Sequence, residues 1–197
     1  MMEKKIVVAS GNEGKIREFR QMLEPKGDTV LSLKDLPDPT EPEETGTTFQ
    51  ENAILKARAV TERYGLDAIA DDSGLCVAAL NDEPGIHSAR WMGHDTPYSI
   101  KNQKLIELVA DKEDRTCHYA CAIAWTSPGK EPVVFFDTWY GEIAHEPRGT
   151  NGFGYDPIFY IPERGITSAE LAPGEKNIYS HRGKALRKLE VWMNENC

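Results

Sequence analysis

The strongest constraint on the fold comes from the order of three features at the amino end of the chain. Ile6–Ala9 is a short, unbroken apolar run, the pattern of a strand covered on both faces. "SGNEGK" (10–15) follows at once, and then Ile16, Phe19, Met22 and Leu23 recur at helical spacing until Gly27 offers a stop. Strand, glycine-rich loop and helix in immediate succession are the opening of an α/β sheet protein.

The rest of the chain continues in that style. "LPDPTEPEETG" (36–46) has three prolines and no periodicity, so it reads as a loop. A capping box, Thr48 to Glu51, opens a helix whose stripe is Phe49, Ala53, Ala57, Val60 and Tyr64, closed by Gly65. "DAIADDSGLCVAAL" (67–80) reads as strand, polar break, strand, and 99–112 as a helix with a ragged stripe. "CHYACAIAW" and "PVVFFDTWY" form a hairpin through "TSPGKE". The glycine-rich "PRGTNGFGYDP" leads into "IFYI", and a last helix begins near Ser180 and carries Leu186, Leu189 and Met193. With no internal repeat or linker, residues 1–197 are taken as one domain, with a cleft where the glycine-rich loops converge.

Composition excludes several roles. A net charge of −9 argues against coating nucleic acid, which calls for a basic excess, yet local donors can still hold a small phosphorylated ligand. Cys76, Cys117, Cys121 and Cys197 form no C-x-x-C pair and read as buried thiols. No segment reaches the ~20 apolar residues of a membrane span, and "MMEKKIVVAS" lacks a signal-peptide core. A reducing cytoplasm is the expected setting.

Five stretches could carry chemistry. In SGNEGK, Gly11 and Gly14 would let the backbone take positive φ and approach an anion, helix-start amides would face it, and Lys15 would add a mobile charge. The alternative is a plain turn capped by Asn12. "ADDSG" (70–74) sets two carboxylates side by side. On extended chain Asp71 and Asp72 point opposite ways and so play different parts, while the alternative is a β-turn. "EETG" (43–46) is a solvated acidic loop or, with Asp72, the second carboxylate of a Mg²⁺ site. In "GFGYDP" (152–157), Phe153 could stack on a base and Asp156 accept from it, or the aromatic simply packs at a bend. "EKNIYSHRGKAL" (175–186) gathers Lys176, His181 and Arg182 at a helix entrance, as donors for carbonyl or phosphate oxygens.

Taken in order, SGNxGK, EETGxxFxENAxLKA, ADDSGLxV, PGIxSAR, GFGYDPIF and EKNxxSHRGKAL run along a chain whose match spans about residues 6–190. Together they closely resemble the inosine/xanthosine triphosphate pyrophosphatase family, also called Ham1-like. The resemblance implies an elongated, mixed-sheet α/β fold of two lobes with a nucleotide-binding cleft between them, in a homodimer. It also implies Mg²⁺-dependent hydrolysis of ITP, dITP and XTP to monophosphate and pyrophosphate. Carried over by position, Ser10, Gly11, Asn12, Glu13, Gly14 and Lys15 hold the triphosphate. Asp72 is proton acceptor and metal ligand, and Glu44 the second metal ligand. Ser73, Phe153, Gly154, Tyr155, Asp156, Lys176, His181 and Arg182 contact substrate, with Arg182 expected to donate to the 6-carbonyl of the base. Two stretches depart from the family pattern. One is His87 in "PGIHSAR", where Tyr is more usual; the other is "RTCHYAC", where Ala and Phe are more usual. Both are expected to lie away from the site. The rival readings are a pyrophosphatase for other modified nucleotides and a nucleotide-binding protein without catalysis.

Overall fold

The computed structural model describes residues 5–196, in which helices and strands form a mixed α/β architecture. Eight strands share one sheet, in the order β2-β1-β3-β5-β6-β7-β8, with β4 (Glu83–Pro84) paired to β3. The first strands are parallel. β1 (Lys5–Val8) lies between β2 (Thr29–Ser32) and β3 (Ala68–Val77), with Val7 opposite Leu31 and Val8 opposite Ile69. The last are antiparallel: β6 (Val133–Ile143), β7 (Phe159–Ile161) and β8 (Ile166–Thr167). β5 (Thr116–Thr126) joins the two sets.

The chain divides into two compact units. One comprises the residues up to Asp72, Cys121–Asp137 and those from Arg182 onward; the other comprises Ser73–Ala120 and Thr138–His181. In the first unit β1 is covered on both faces, as its unbroken apolar run requires. Ile6 and Val8 pack with Phe19 and Leu23 of α1 (Glu13–Leu23) and with Leu186 and Leu189 of α5 (His181–Asn196). Val7 and Ala9 pack with Ala53, Ala57 and Val60 of α2 (Phe49–Tyr64). Each such large side chain, fully buried, contributes about 1.5–3 kcal/mol. The core of the second unit is more aromatic, built on Tyr119, Trp139, Tyr155 and Phe159 with Leu105 of α3 (Tyr98–Leu108).

Local signals in the sequence account for the element ends. Asn12 caps α1 by accepting from the Lys15 amide at 3.2 Å. Thr48 caps α2 by accepting from Glu51 N, while the Glu51 carboxylate turns back to the Thr47 amide at 2.7 Å. Gly65 then ends α2 at φ 66°, where a side chain would be strained. Two expectations are corrected. "ADDSG" is neither a polar break nor a β-turn, because β3 runs through it without interruption from Ala68 to Val77. Gly11 and Gly14 are not among the residues at positive φ: α1 already begins at Glu13, so Gly14 lies in its first turn. Cys76, Cys117 and Cys121 are buried thiols, as expected, and Cys197 lies outside the described residues. Among the described residues no helix is long and apolar enough to cross a membrane.

Candidate functional site

The first unit gathers its charged groups around β3. Alternation along the strand sends Asp71 and Asp72 to different partners. Asp71, fully buried, accepts through Oδ2 from Arg182 Nη2 (3.0 Å) and Nε (3.3 Å), and its Oδ1 lies 3.2 Å from Lys15 Nζ. Arg182 is only 2% exposed, and its Nη1 donates to Glu18 of α1. Burial works against this guanidinium, but Asp71 and Glu18 hold it firmly charged. Arg182 therefore sits between two carboxylates inside this unit.

Asp72 belongs to a second set. The buried ammonium of Lys56 on α2 lies 2.8 Å from Glu44 Oε1 and 3.4 Å from Asp72 Oδ1. The other oxygen, Asp72 Oδ2, is buried and has no hydrogen-bond partner among the described residues. Burial raises the Asp72 carboxyl above its ordinary pKa; Glu44 and Asp71 add to the rise, and Lys56 and Lys15 oppose it. For Lys56, burial is outweighed by Asp72, Asp71 and Glu44, so its pKa rises too and it stays charged. The acidic loop is tied to α2 where Asn52 Oδ1 accepts from Gly46 N at 2.8 Å. Lys56 falls within the motif EETGxxFxENAxLKA but has no role among the expected site residues, although the sequence carries a signal for it. It is the one charged residue in the inward stripe formed by Asn52, Ala53, Ala57, Val60 and Thr61.

The loop after β1 is wound by its own side chains, for Asn12 N donates to Ser10 Oγ at 3.0 Å. Glu13 turns its carboxylate outward to Lys34, which holds it below the usual carboxylate range, so only its backbone belongs to the loop.

The second unit holds a different constellation, centred on Asp156. This carboxylate is completely buried and accepts four hydrogen bonds. Tyr119 Oη (3.1 Å) and Ser168 Oγ (2.8 Å) donate to Oδ1, and Phe153 N (2.9 Å) and Lys176 Nζ (2.7 Å) donate to Oδ2. A carboxylate has about four lone-pair positions. Asp156 therefore organises the loop instead of offering it an acceptor. Gly152, at φ 71°, is required here because a Cβ would come within 2.1 Å of Asp156 Oδ2. Lys176 Nζ lies 4.7 Å from the centroid of the Phe153 ring, and the His181 ring stacks on Tyr119 at 4.6 Å. Tyr155 is buried with its hydroxyl on the Ser88 carbonyl at 2.5 Å, and the Gly154 carbonyl accepts from Asn102 Nδ2 at 3.2 Å, so both are held by packing. Ser73 directly follows Asp72 on β3. "RTCHYAC", expected to lie away from the site residues, touches two of them: Tyr119 binds Asp156 and stacks on His181.

A strand of the parallel part of the sheet carrying adjacent carboxylates, and a glycine-rich turn with a lysine over an aromatic ring, are the features of this α/β protein on which chemistry could be built. The chain belongs to the Ham1 family, whose model matches residues 6–192. It is 50% identical to the dITP/XTP pyrophosphatase of Geobacillus kaustophilus, covering 96% of this chain and 94% of that protein. It is 47% identical to the dITP/XTP pyrophosphatase of Nitrosomonas europaea, covering 98% and 95% respectively. Among solved structures, the Ham1 protein of Staphylococcus aureus superposes with a TM-score of 0.87 at 41% identity, covering 98% of this chain and 100% of that one.

Proposed function

We propose that this chain hydrolyses deaminated purine nucleoside triphosphates, dITP, ITP and XTP, to the monophosphate and pyrophosphate, with Mg²⁺. The observation that carries the reading is the Asp72–Lys56–Glu44 set: two carboxylates meeting one ammonium, with a buried Asp72 oxygen that has no hydrogen bond among the described residues. A buried polar atom in that state costs stability, which marks a site awaiting a partner. Membership of a family whose relatives are named dITP/XTP pyrophosphatases supplies the substrate class.

The residues present fit Mg²⁺. No group of three or more His, Cys, Asp or Glu among the described residues could form an all-protein cage. Glu44 and Asp72 would instead supply the one or two carboxylates that a Mg²⁺ site needs. When bound there, the ion neutralises charge on the phosphates.

The chain's own groups do the rest. Lys15, steadied by Asp71, and the first-turn amides of α1 hold phosphate oxygens. Lys56 adds a fixed positive charge where negative charge grows during the displacement. Asp72 Oδ2 takes a proton from the attacking water as its oxygen bonds to phosphorus and pyrophosphate leaves; a raised pKa makes it a better base than an ordinary carboxylate. Phe153 offers a face to the base, and the Lys176 ammonium a donor to the 6-carbonyl that adenine lacks. Arg182, expected to make that contact, is assigned instead to holding Asp71. The resemblance also supports a cytoplasmic homodimer.

The test is pyrophosphate release from a panel of ITP, XTP, dITP, ATP and GTP, with Mg²⁺ and with chelator. Release from ITP and XTP only with Mg²⁺ is expected. Orthophosphate as the direct product, or equal rates on ATP, would overturn the reading. Light scattering of the purified chain tests the dimer.

A further inference from the structure

The mechanism gives no role to Tyr119 of the second unit, although it touches two residues of the candidate site. Tyr119 sits on β5, deep in the core, and has two kinds of contact. Its hydroxyl donates to Asp156 Oδ1 at 3.1 Å, and Asp156 Oδ2 accepts from Lys176 Nζ at 2.7 Å. Its ring stacks on His181 (4.6 Å, 15°) and on Phe159 (4.5 Å, 24°). Two near-parallel partners at such distances must occupy opposite faces of the ring, so Tyr119 is fixed between them. One side chain thus reaches both Lys176, through the carboxylate, and His181, through the stack.

We propose that Tyr119 is a positioning residue for base selection, its hydroxyl aiming Lys176 through Asp156 while its ring seats His181. The proposal rests on the reading of Lys176, His181 and Phe153 as base contacts. An ammonium carries three donors, so committing one of them to a fixed carboxylate sets the direction of the others. The Asp156 carboxylate is fixed only if both of its oxygens are held. Phe153 N and Lys176 hold Oδ2; Tyr119 and Ser168 hold Oδ1 against rotation. Without the Tyr119 hydroxyl, Oδ1 retains the Ser168 bond alone and the carboxylate plane can turn. Lys176 then swings over Phe153, and its donor no longer discriminates a carbonyl from an amino group.

Tyr119→Phe removes the hydroxyl and keeps both stacks. The experiment compares kcat and KM on ITP and ATP for the wild type and this variant, with Tm measured alongside. A lost hydrogen bond to a charged system corresponds to about a tenfold change, so the ITP:ATP ratio of kcat/KM is expected to fall about tenfold. The fall should come through a raised KM for ITP, with kcat on ITP within about twofold because Asp72 and Lys56 are untouched. In a Lys176→Ala background the same substitution should leave the ratio unchanged. A purely structural role would lower Tm and active-enzyme yield while leaving the ratio alone, and an unchanged ratio overturns the proposal. Should Tyr119→Phe not fold, Ser168→Ala removes the other donor on the same oxygen; its ratio must fall in the same direction, and an unchanged ratio there is equally decisive. Absence of any ITP preference in the wild type would overturn the proposed function itself, and this inference with it.

Discussion

Asp72 of the first unit and Asp156 of the second are both buried carboxylates facing a lysine, and they differ in how fully they are satisfied. Asp156 has four donors on its two oxygens, one of them a cation at 2.7 Å. Among the described residues Asp72 has one long contact to Lys56 at 3.4 Å, a second carboxylate sharing that lysine, and a buried oxygen with no hydrogen bond. A saturated carboxylate is scaffold: nothing can be added to it without displacing a bond already made. An undersatisfied one stores unfavourable free energy that a ligand can relieve. On the proposed function, identical residue types, both buried, divide into chemistry and architecture according to the number of their donors.

The sharpest break between the two is kinetic. Asp72→Asn preserves shape but removes charge and basicity, and kcat should fall by roughly 10²-fold or more. Asp156→Asn should leave kcat far less affected and act on KM and stability. Near-normal turnover in Asp72→Asn would remove that residue from the mechanism and dissolve the contrast.

A second test asks whether Arg182 belongs with the scaffold. Removing it leaves Glu18 and Asp71 as neighbouring buried carboxylates with a lost counterion, an effect of about 3–5 kcal/mol. Arg182→Ala should therefore lower the urea midpoint sharply and reduce activity on ITP, ATP and GTP in equal proportion. A variant of normal stability that loses only its preference for ITP would restore Arg182 as a base contact.

The same contrasts separate what is legible in the amino-acid sequence from what is not. β1, α1, α2, the β5–β6 hairpin and α5 are legible because each has a clear period, a tight turn or a local stop such as Gly27 or Gly65. The strand through "ADDSG" is not, since Asp, Ser and Gly are turn residues by local propensity. Tertiary partners, Arg182 for the first aspartate and Lys56 for the next, make extended chain tolerable there. Candidate residues can be named from motif order, but the partners that satisfy each of them cannot. Whether a carboxylate is saturated depends on residues distant in sequence, such as Tyr119 and Ser168 around Asp156, and no spacing rule connects them.

A third test needs no substrate. If Asp72 and Glu44 await a cation, Mg²⁺ at ten times its Kd should stabilise the wild type by about 1.4 kcal/mol through mass action. The shift should be lost in Asp72→Asn, weakened in Glu44→Gln and retained in Asp156→Asn. An equal shift in all four proteins would place the ion elsewhere.

The smallest effect concerns the saturated side, and it is visible only in alkali. Burial, then the neighbouring Asp156 charge and the hydrogen bond to it, push the Tyr119 phenol well above its ordinary pKa of about 10. In the unfolded chain the phenol ionises near that ordinary value, so above it the unfolded state sheds a proton that the folded state keeps. The contribution is fully present below about pH 10 and is lost as pH rises through the folded value, at up to about 1.4 kcal/mol per pH unit. Tyr119→Phe has no phenol to ionise at this position. Its deficit relative to the wild type, measured by urea unfolding, should be largest near pH 9 and shrink steadily towards pH 11. Parallel stability curves across that range would mean that Tyr119 is not held protonated against Asp156, and the saturated carboxylate would lose one of its four donors.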